Sequence, residues 1–189
     1  MTGIPLRIAE PAGRCRRSLR RFTYGGQGDN CAGSRYGHDA STDLGDVPVA
    51  EREALHGDNW PHDDENWPKT CTACGYEFAD GDRWQRNDDM IYRLPDGSEF
   101  VFRHSFGKAA PPGTMIRADW YDEYTSQPGE SWLIALPDGG EWITTQEASG
   151  GGYWTVTGTP PDITATPSIF HNAPSGWHGF VRNGELVPA

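Results

Sequence analysis

The chain's most specific chemistry sits on its four cysteines and six histidines. Cys71-Thr-Ala-Cys74-Gly75 has the form of a zinc knuckle. Two thiolates at that spacing reach one tetrahedral ion, while the following glycine lets backbone amides turn toward sulfur. A knuckle supplies half of a four-coordinate site, so two further ligands must come from elsewhere. Cys31 and His38 lie in a Gly-rich, turn-prone stretch at a separation common for loop-closed metal pairs. The expected ligand set is therefore Cys31, His38, Cys71 and Cys74 on a structural zinc. Cys15 in place of His38, giving four cysteines, and His62 as the last ligand remain open at this point. Two plainer readings compete with it. A lone CxxC can be a redox dithiol, but those usually open a helix, and Gly75-Tyr-Glu-Phe78 reads as turn or strand. The thiols can also be unligated core residues.

Hydrolytic chemistry has weaker support. His56, His104, His171 and His178 form no HExxH pattern, and neither a GxSxG elbow nor a Walker loop is present. The best catalytic candidate is His171, Ser175 and His178 near Asp162, where two imidazoles seven residues apart could hold a second metal or poise a nucleophile. The plainer reading makes them polar partners at a hairpin rim. Asp119, Asp122 and Glu123, beside Trp120 and Tyr121, have the donors for a cation but read by default as a solvated acidic loop.

Charge is segregated along the N-terminal half. Arg14, Arg16, Arg17, Arg20 and Arg21 crowd into eight residues, and ten carboxylates follow between Asp29 and Glu65. The basic segment is expected to fold back on the acidic one or to dock an acidic surface of a partner. Nucleic acid is the sharper alternative, and in a chain of net charge −11 it would be held only through these arginines and released by salt.

Elements to position these groups can be read from pattern. Asp46 to His56 predicts one short helix, with Pro48 in its first turn, Glu51 and Glu53 near its positive end and Gly57 at its stop. The Trp-Pro steps at Trp60 and Trp67 then predict an ordered loop pinned by indoles. From Trp84 onward the pattern is one of strands. Ile91–Phe102 and Trp132–Thr144 each carry Leu-Pro-Asp-Gly before a Glu-aromatic pair, predicting two similar hairpins, and Asn183-Gly184 predicts a third. Another strand is expected within Gly150–Gly158. Trp120, Trp132, Trp142, Trp154 and Trp177 are the candidate core indoles of this half.

A length of 189 residues allows one large domain or two small ones. Gly and Pro make up about a fifth of the chain, and 12% of residues are aromatic, which excludes a disordered acidic tail and favours short strands with many turns. The longest apolar run, Trp132–Leu136, is far below the ~20 residues of a membrane helix. Met1 to Glu10 lacks a signal-peptide core, so a cytoplasmic product with reduced thiols is expected. The expected fold is all-β or β-rich α+β, of consecutive antiparallel hairpins with a zinc-stapled, loop-rich N-terminal region. Residues 1–82 would hold the arginine arm and knuckle, and residues 83–189 the hairpins.

Three segments carry a resemblance: Cys31-Ala-Gly-Ser-Arg-Tyr-Gly-His38, the stretch from Asp58 through Trp67-Pro68 into Cys71-x2-Cys74-Gly75, and Trp177-His-Gly-Phe-Val-Arg-Asn-Gly184. With Pro111–Trp120, they resemble uncharacterised zinc-knuckle proteins of tailed phages of actinobacteria. The resemblance implies zinc-type ligands at Cys31, His38, Cys71 and Cys74 and brings no established activity. On it rests the expectation of a structural or assembly component, a minor part of the virion contacting capsid, portal or tail subunits or further copies of itself. A phage accessory metal-dependent hydrolase or host-takeover factor, and a nucleic-acid accessory protein using Arg14–Arg21, are the alternatives. The expected location is the virion or the host cytoplasm, with no membrane partner.

Overall fold

The computed structural model describes residues 3–24, 31, 36–52, 63–102, 105–127, 129–148, 151–171 and 176–189. Strands dominate: β1 (Ile4–Pro5), β2 (Arg7–Ile8), β3 (Glu10–Tyr24), β4 (Tyr36–Pro48), β5 (Arg83–Arg93), β6 (Glu99–Val101), β7 (Thr114–Arg117), β8 (Trp132–Ala135), β9 (Glu141–Ile143), β10 (Thr155–Thr159), β11 (Asp162–Phe170), β12 (His178–Arg182) and β13 (Glu185–Pro188). Two single-turn helices, α1 (Phe106–Ala109) and α2 (Asp119–Asp122), and a 3-10 turn at Val49–Glu51 are the other regular elements among the described residues. The fold is β-rich and antiparallel throughout its hairpins, and β2 with β7 is a parallel pair. No helix among the described residues is long and apolar enough to cross a membrane.

The chain divides into two compact units, Gly13–Met90 and Met1–Ala12 with Ile91–Ala189. The larger unit has two sheets, ordered β1-β13-β12-β11-β10 and β2-β7-β8-β9. Leu6, Met115, Ile134, Leu136, Ile163, Val181 and Leu186, with two indoles, form its apolar core. Trp142 and Trp154 meet there edge to face, 5.5 Å between centroids, while Trp132 and Trp177 pack against the core half-buried. Trp120 departs from expectation. It is 44% exposed, because its place on the turn of α2 carries it out of the alternation that buries strand residues.

The predicted hairpins form. In the first, Ile91 pairs with Val101 and Arg93 with Glu99, and in the second, Leu133 pairs with Ile143 and Ala135 with Glu141. Their turns are alike: Leu94 and Leu136 donate their N–H to Ser98 and Gly140, and Gly97 and Gly139 take φ of +86° and +78°. Asp96 and Asp138 fasten these turns by accepting the N–H of Ser98 and Gly140. Asn183-Gly184 closes the β12–β13 hairpin with φ of 49° and 77°, the left-handed pair of a two-residue turn.

In the smaller unit β4, β3 and β5 lie side by side in that order. Arg14–Arg21 are the middle of the 15-residue strand β3. Strand alternation sorts the arginines into two sets. Arg14, Arg16 and Arg20 face the carboxylates of β4: Arg14 and Arg16 reach Asp46 at 2.9 and 2.6 Å, Arg16 reaches Asp43 at 3.0 Å, and Arg20 pairs with Asp39. The basic segment thus folds back on the acidic one as a cross-strand ladder. Arg17 and Arg21 point to the buried side with Cys15 and Leu19. Arg17 is bidentate to Asp88, which also accepts from Arg86 at 2.7 Å, and Arg86 and Asp88 are each 5% exposed. Arg21 lies 3.6 Å over the ring of Trp84 and gives its guanidinium to the Ala79 carbonyl.

The expected Asp46–His56 helix is not what forms. Asp46 to Pro48 end β4, and Val49–Glu51 make a single 3-10 turn, with residues 53–56 outside the described residues. The arginine ladder explains the difference. Asp46 is held opposite Arg16 in strand register, and capturing this carboxylate across the sheet outcompetes its use as a helix cap. Of the Trp-Pro loop, Asn59–His62 also lie outside the described residues, whereas Trp67 is buried edge to face against Trp84 at 4.9 Å.

Burial pushes the Asp88 carboxyl up, but hydrogen bonds from Arg17 and Arg86 outweigh it and hold the group at about 2. Because this folded-state value lies below the unfolded one, near 3.9, the pair stabilises the fold fully above about pH 4 and less as pH falls toward 2. Asp88→Asn leaves two guanidinium groups without their buried anion and is expected to cost about 3 kcal/mol at pH 7. Urea denaturation of both proteins at pH 7 and pH 3 checks this, the difference between them shrinking at the lower pH.

Candidate metal centre

The knuckle is a short ladder closed by a tight turn. Phe78 donates its N–H to the Lys69 carbonyl at 3.0 Å, Cys71 donates to Tyr76 at 2.8 Å, and Gly75 donates back to Cys71 at 2.9 Å. Gly75 takes φ of +76°, a conformation that a side chain would strain. That turn aims the N–H groups of Ala73 and Cys74 at the Cys71 sulfur, and the Asp39 N–H from β4 joins them.

β4 supplies the histidine. His38 stands at the start of this strand, held by its N–H to the Thr23 hydroxyl at 2.9 Å, and its ring stacks flat on Tyr76 at 3.9 Å with an interplanar angle of 1°. Its Nδ1 lies 3.3 Å from Cys74 Sγ, and Cys31 Sγ lies 3.9 Å from Cys71 Sγ. The donor atoms of Cys31, His38, Cys71 and Cys74 are all within 4.8 Å of one another. A tetrahedral ion with bonds of about 2.3 Å to sulfur and about 2.0 Å to nitrogen spaces its donors roughly 3.5–3.8 Å apart. The four side chains are therefore close enough to bind one metal ion.

The sulfurs differ in environment. Hydrogen bonding with Cys74, then burial and the neighbouring Cys71, push the Cys31 thiol up to about 12. Burial raises Cys71 as well, but the N–H groups of Asp39, Ala73 and Cys74 prevail and bring it to about 6. The same three amides would support a metal-bound thiolate, the outer-shell role that orients ligands and tunes a site. Cys71 is 3% exposed and Cys74 lies at the surface, so the cluster spans the boundary between core and solvent.

Cys15 is not one of the four donors that lie together. It pairs with Val47, nine positions along β4 from His38 and therefore roughly 30 Å away along the strand. There it is fully buried, 3.4 Å from Met90 Sδ, and burial pushes its thiol up. His62 lies outside the described residues. The pattern of cysteines left two features hidden: the Tyr76 platform under His38 and the Asp39 amide on Cys71. Both depend on how β4 meets the knuckle.

The C-terminal histidines are placed differently. His171 Nδ1 lies 2.6 Å from Asp138 Oδ2, and the same carboxylate accepts the Trp177 N–H at 2.7 Å. Asp138, the turn residue of the second hairpin, thus clasps both ends of the 171–177 connection. His178 rests on the exposed face with its Nε2 3.1 Å from Ser168 Oγ and its ring edge-on to Phe170. Asp162 opens β11 opposite Thr159, and Ser175 lies outside the described residues. Asp122 is fastened to Arg117 and accepts the Ser131 N–H at 3.0 Å, which gives it a structural task. No family model, curated protein or solved structure matches the chain.

One metal ion per chain is expected on elemental analysis of the purified protein. Cys71→Ser, which removes the most buried ligand, should reduce metal content at least tenfold, whereas Cys15→Ala should leave it unchanged. Equal metal content in all three proteins would place the ion elsewhere.

Proposed function

We propose that the chain is a minor structural or assembly component of a tailed-phage particle, a protein-contact module whose knuckle is stapled by one structural zinc ion. The observation that carries this reading is the donor set. Three thiols and one imidazole, drawn from three segments of the chain, come within 4.8 Å of one another. Four protein ligands fill a tetrahedron and leave no position for water or substrate, so the ion ties segments together and supplies no hydrolytic centre. A thiolate-rich tetrahedral set also favours zinc over the oxygen-seeking cations. In this region the staple adds what a small apolar content leaves short, since Arg21, Arg86, Asn87 and Asp88 are buried there beside Leu19 and Trp67.

Two further features support a contact role. Tyr124, Phe170 and Trp120 are 79%, 60% and 44% exposed, and rigid aromatic side chains of this kind supply binding area at small entropic cost. Of the five arginines that would grip nucleic acid, Arg14, Arg16, Arg17 and Arg20 are engaged with Asp39, Asp43, Asp46 and Asp88 and Arg21 with the Ala79 carbonyl and the Trp84 ring, which favours a structural use of that charge. The virion setting rests on the resemblance to actinobacterial phage proteins.

Mass spectrometry of purified virions, with zinc analysis of the isolated protein, tests this reading. The expected outcome is a fixed copy number per particle and one zinc per chain. Absence from virions overturns the structural role, and a metal-free yet fully folded protein overturns the staple.

A further inference from the structure

Protein sheets normally shield their open edges, and most edges among the described residues follow that rule. β1 and β2 are two residues long, and β1 contains Pro5. β6 and β9 have three residues each. β4 is long, but it carries Asp39, Asp43 and Asp46, and its pairing with β3 shifts register between Arg17 and Ser18. β10 is the exception. It is the outer strand of the five-stranded sheet, Thr155-Val-Thr-Gly-Thr159, with no charge, no proline and no register shift against β11.

Backbone alternation shows which groups this edge presents. Ile163 gives its carbonyl to Gly184, on the β12 side of β11. The neighbouring Thr164 and Thr166 therefore turn their backbone toward β10, where they meet Thr157 and Thr155. Val156, between those two, turns its N–H and C=O away from the sheet. Threonine side chains 155 and 157 are exposed on one face of the strand.

The charge pattern selects the occupant. The chain has a net charge of −11, yet from Ala148 to Val181 it holds one carboxylate, Asp162, and neither Lys nor Arg. A charged partner finds nothing along β10 to pair with, and two copies of an acidic chain approach with least repulsion where both are uncharged. We propose that β10 pairs antiparallel with β10 of a second copy across a two-fold axis at Val156, joining two five-stranded sheets into one. This axis sets Val156 opposite its equivalent and Thr155 opposite Thr157, so each copy supplies what the other lacks, as a closed isologous contact requires. The edge belongs to the unit without the cysteine cluster, so the contact and the metal site are separable by test.

Sedimentation velocity of the full chain from about 1 to 100 µM should reveal a monomer–dimer equilibrium. The double variant Thr155→Lys with Thr157→Lys places like charges across the axis and should weaken the dimer about tenfold or more. Its metal content should match the parent, and so should its thermal melt at about 1 µM, where both are largely monomeric, because both side chains are exposed. Phe170→Ser should leave the dimer intact. Amide exchange supplies a readout that needs no variant, with Val156 becoming more protected as concentration rises. A chain monomeric throughout the range, a dimer untouched by the two lysines, or Val156 exchange independent of concentration would each overturn the proposal.

Discussion

Two guanidinium groups on the buried side of one strand set the terms for the smaller unit. Arg17 and Arg21 follow Cys15 and Leu19 inward on β3, and a buried cation is tolerated only where an anion, a carbonyl or an aromatic face receives it. Asp88 and the Trp84 ring, both on β5, meet that demand. β5 is thereby committed to β3 in one register, since a slip of one residue would turn Asp88 and Trp84 to opposite sides from their arginines. On the other face Arg14, Arg16 and Arg20 fix β4 through Asp46, Asp43 and Asp39.

The Cys/His cluster is a consequence of this register. With Asp39 opposite Phe22, His38 reaches the knuckle, its imidazole comes to rest on Tyr76, and the Asp39 amide lands on the Cys71 sulfur. The outward arginines are partly exposed, so their ion pairs contribute more to specifying alignment than to stability. In the same way the turn aspartates of the larger unit act as fasteners. Asp96 closes its own hairpin, while Asp138 closes the matching turn and holds His171 and Trp177 as well. A repeated Leu-Pro-Asp-Gly segment thus serves one local purpose twice, and each aspartate adds a tertiary contact, Asp96 with Arg7 at 3.3 Å and Asp138 with His171 and Trp177.

Much of the architecture was legible along the chain, because hairpin signals are local. Asp-Gly and Asn-Gly between aromatic and β-branched flanks specify left-handed turn residues with no help from distant parts. The cluster of Cys31, His38, Cys71 and Cys74 was legible for a related reason: thiols and an imidazole at knuckle spacing are a donor set suited to one metal ion, and these four side chains come close enough to bind one. The Asp46–His56 segment misled because each of its signals is weak and local, and a cross-strand arginine at Asp46 overrides them. Trp120 misled because its sequence neighbours resemble a core strand, and only the turn of α2 carries it outward.

By itself the sequence determined the strand-and-turn character of the chain, the positions of its tight turns and the residues able to hold a metal, since these follow from backbone preference and side-chain chemistry at short range. Tertiary structure decided which arginines turn to the buried side and which form the ladder, that Cys15 packs on Met90 apart from the Cys31, His38, Cys71 and Cys74 cluster, and that β10 is the uncharged outer strand of its sheet among the described residues. Those outcomes depend on strand register and sheet order. Both are fixed by partners tens of residues away, and no local pattern encodes them.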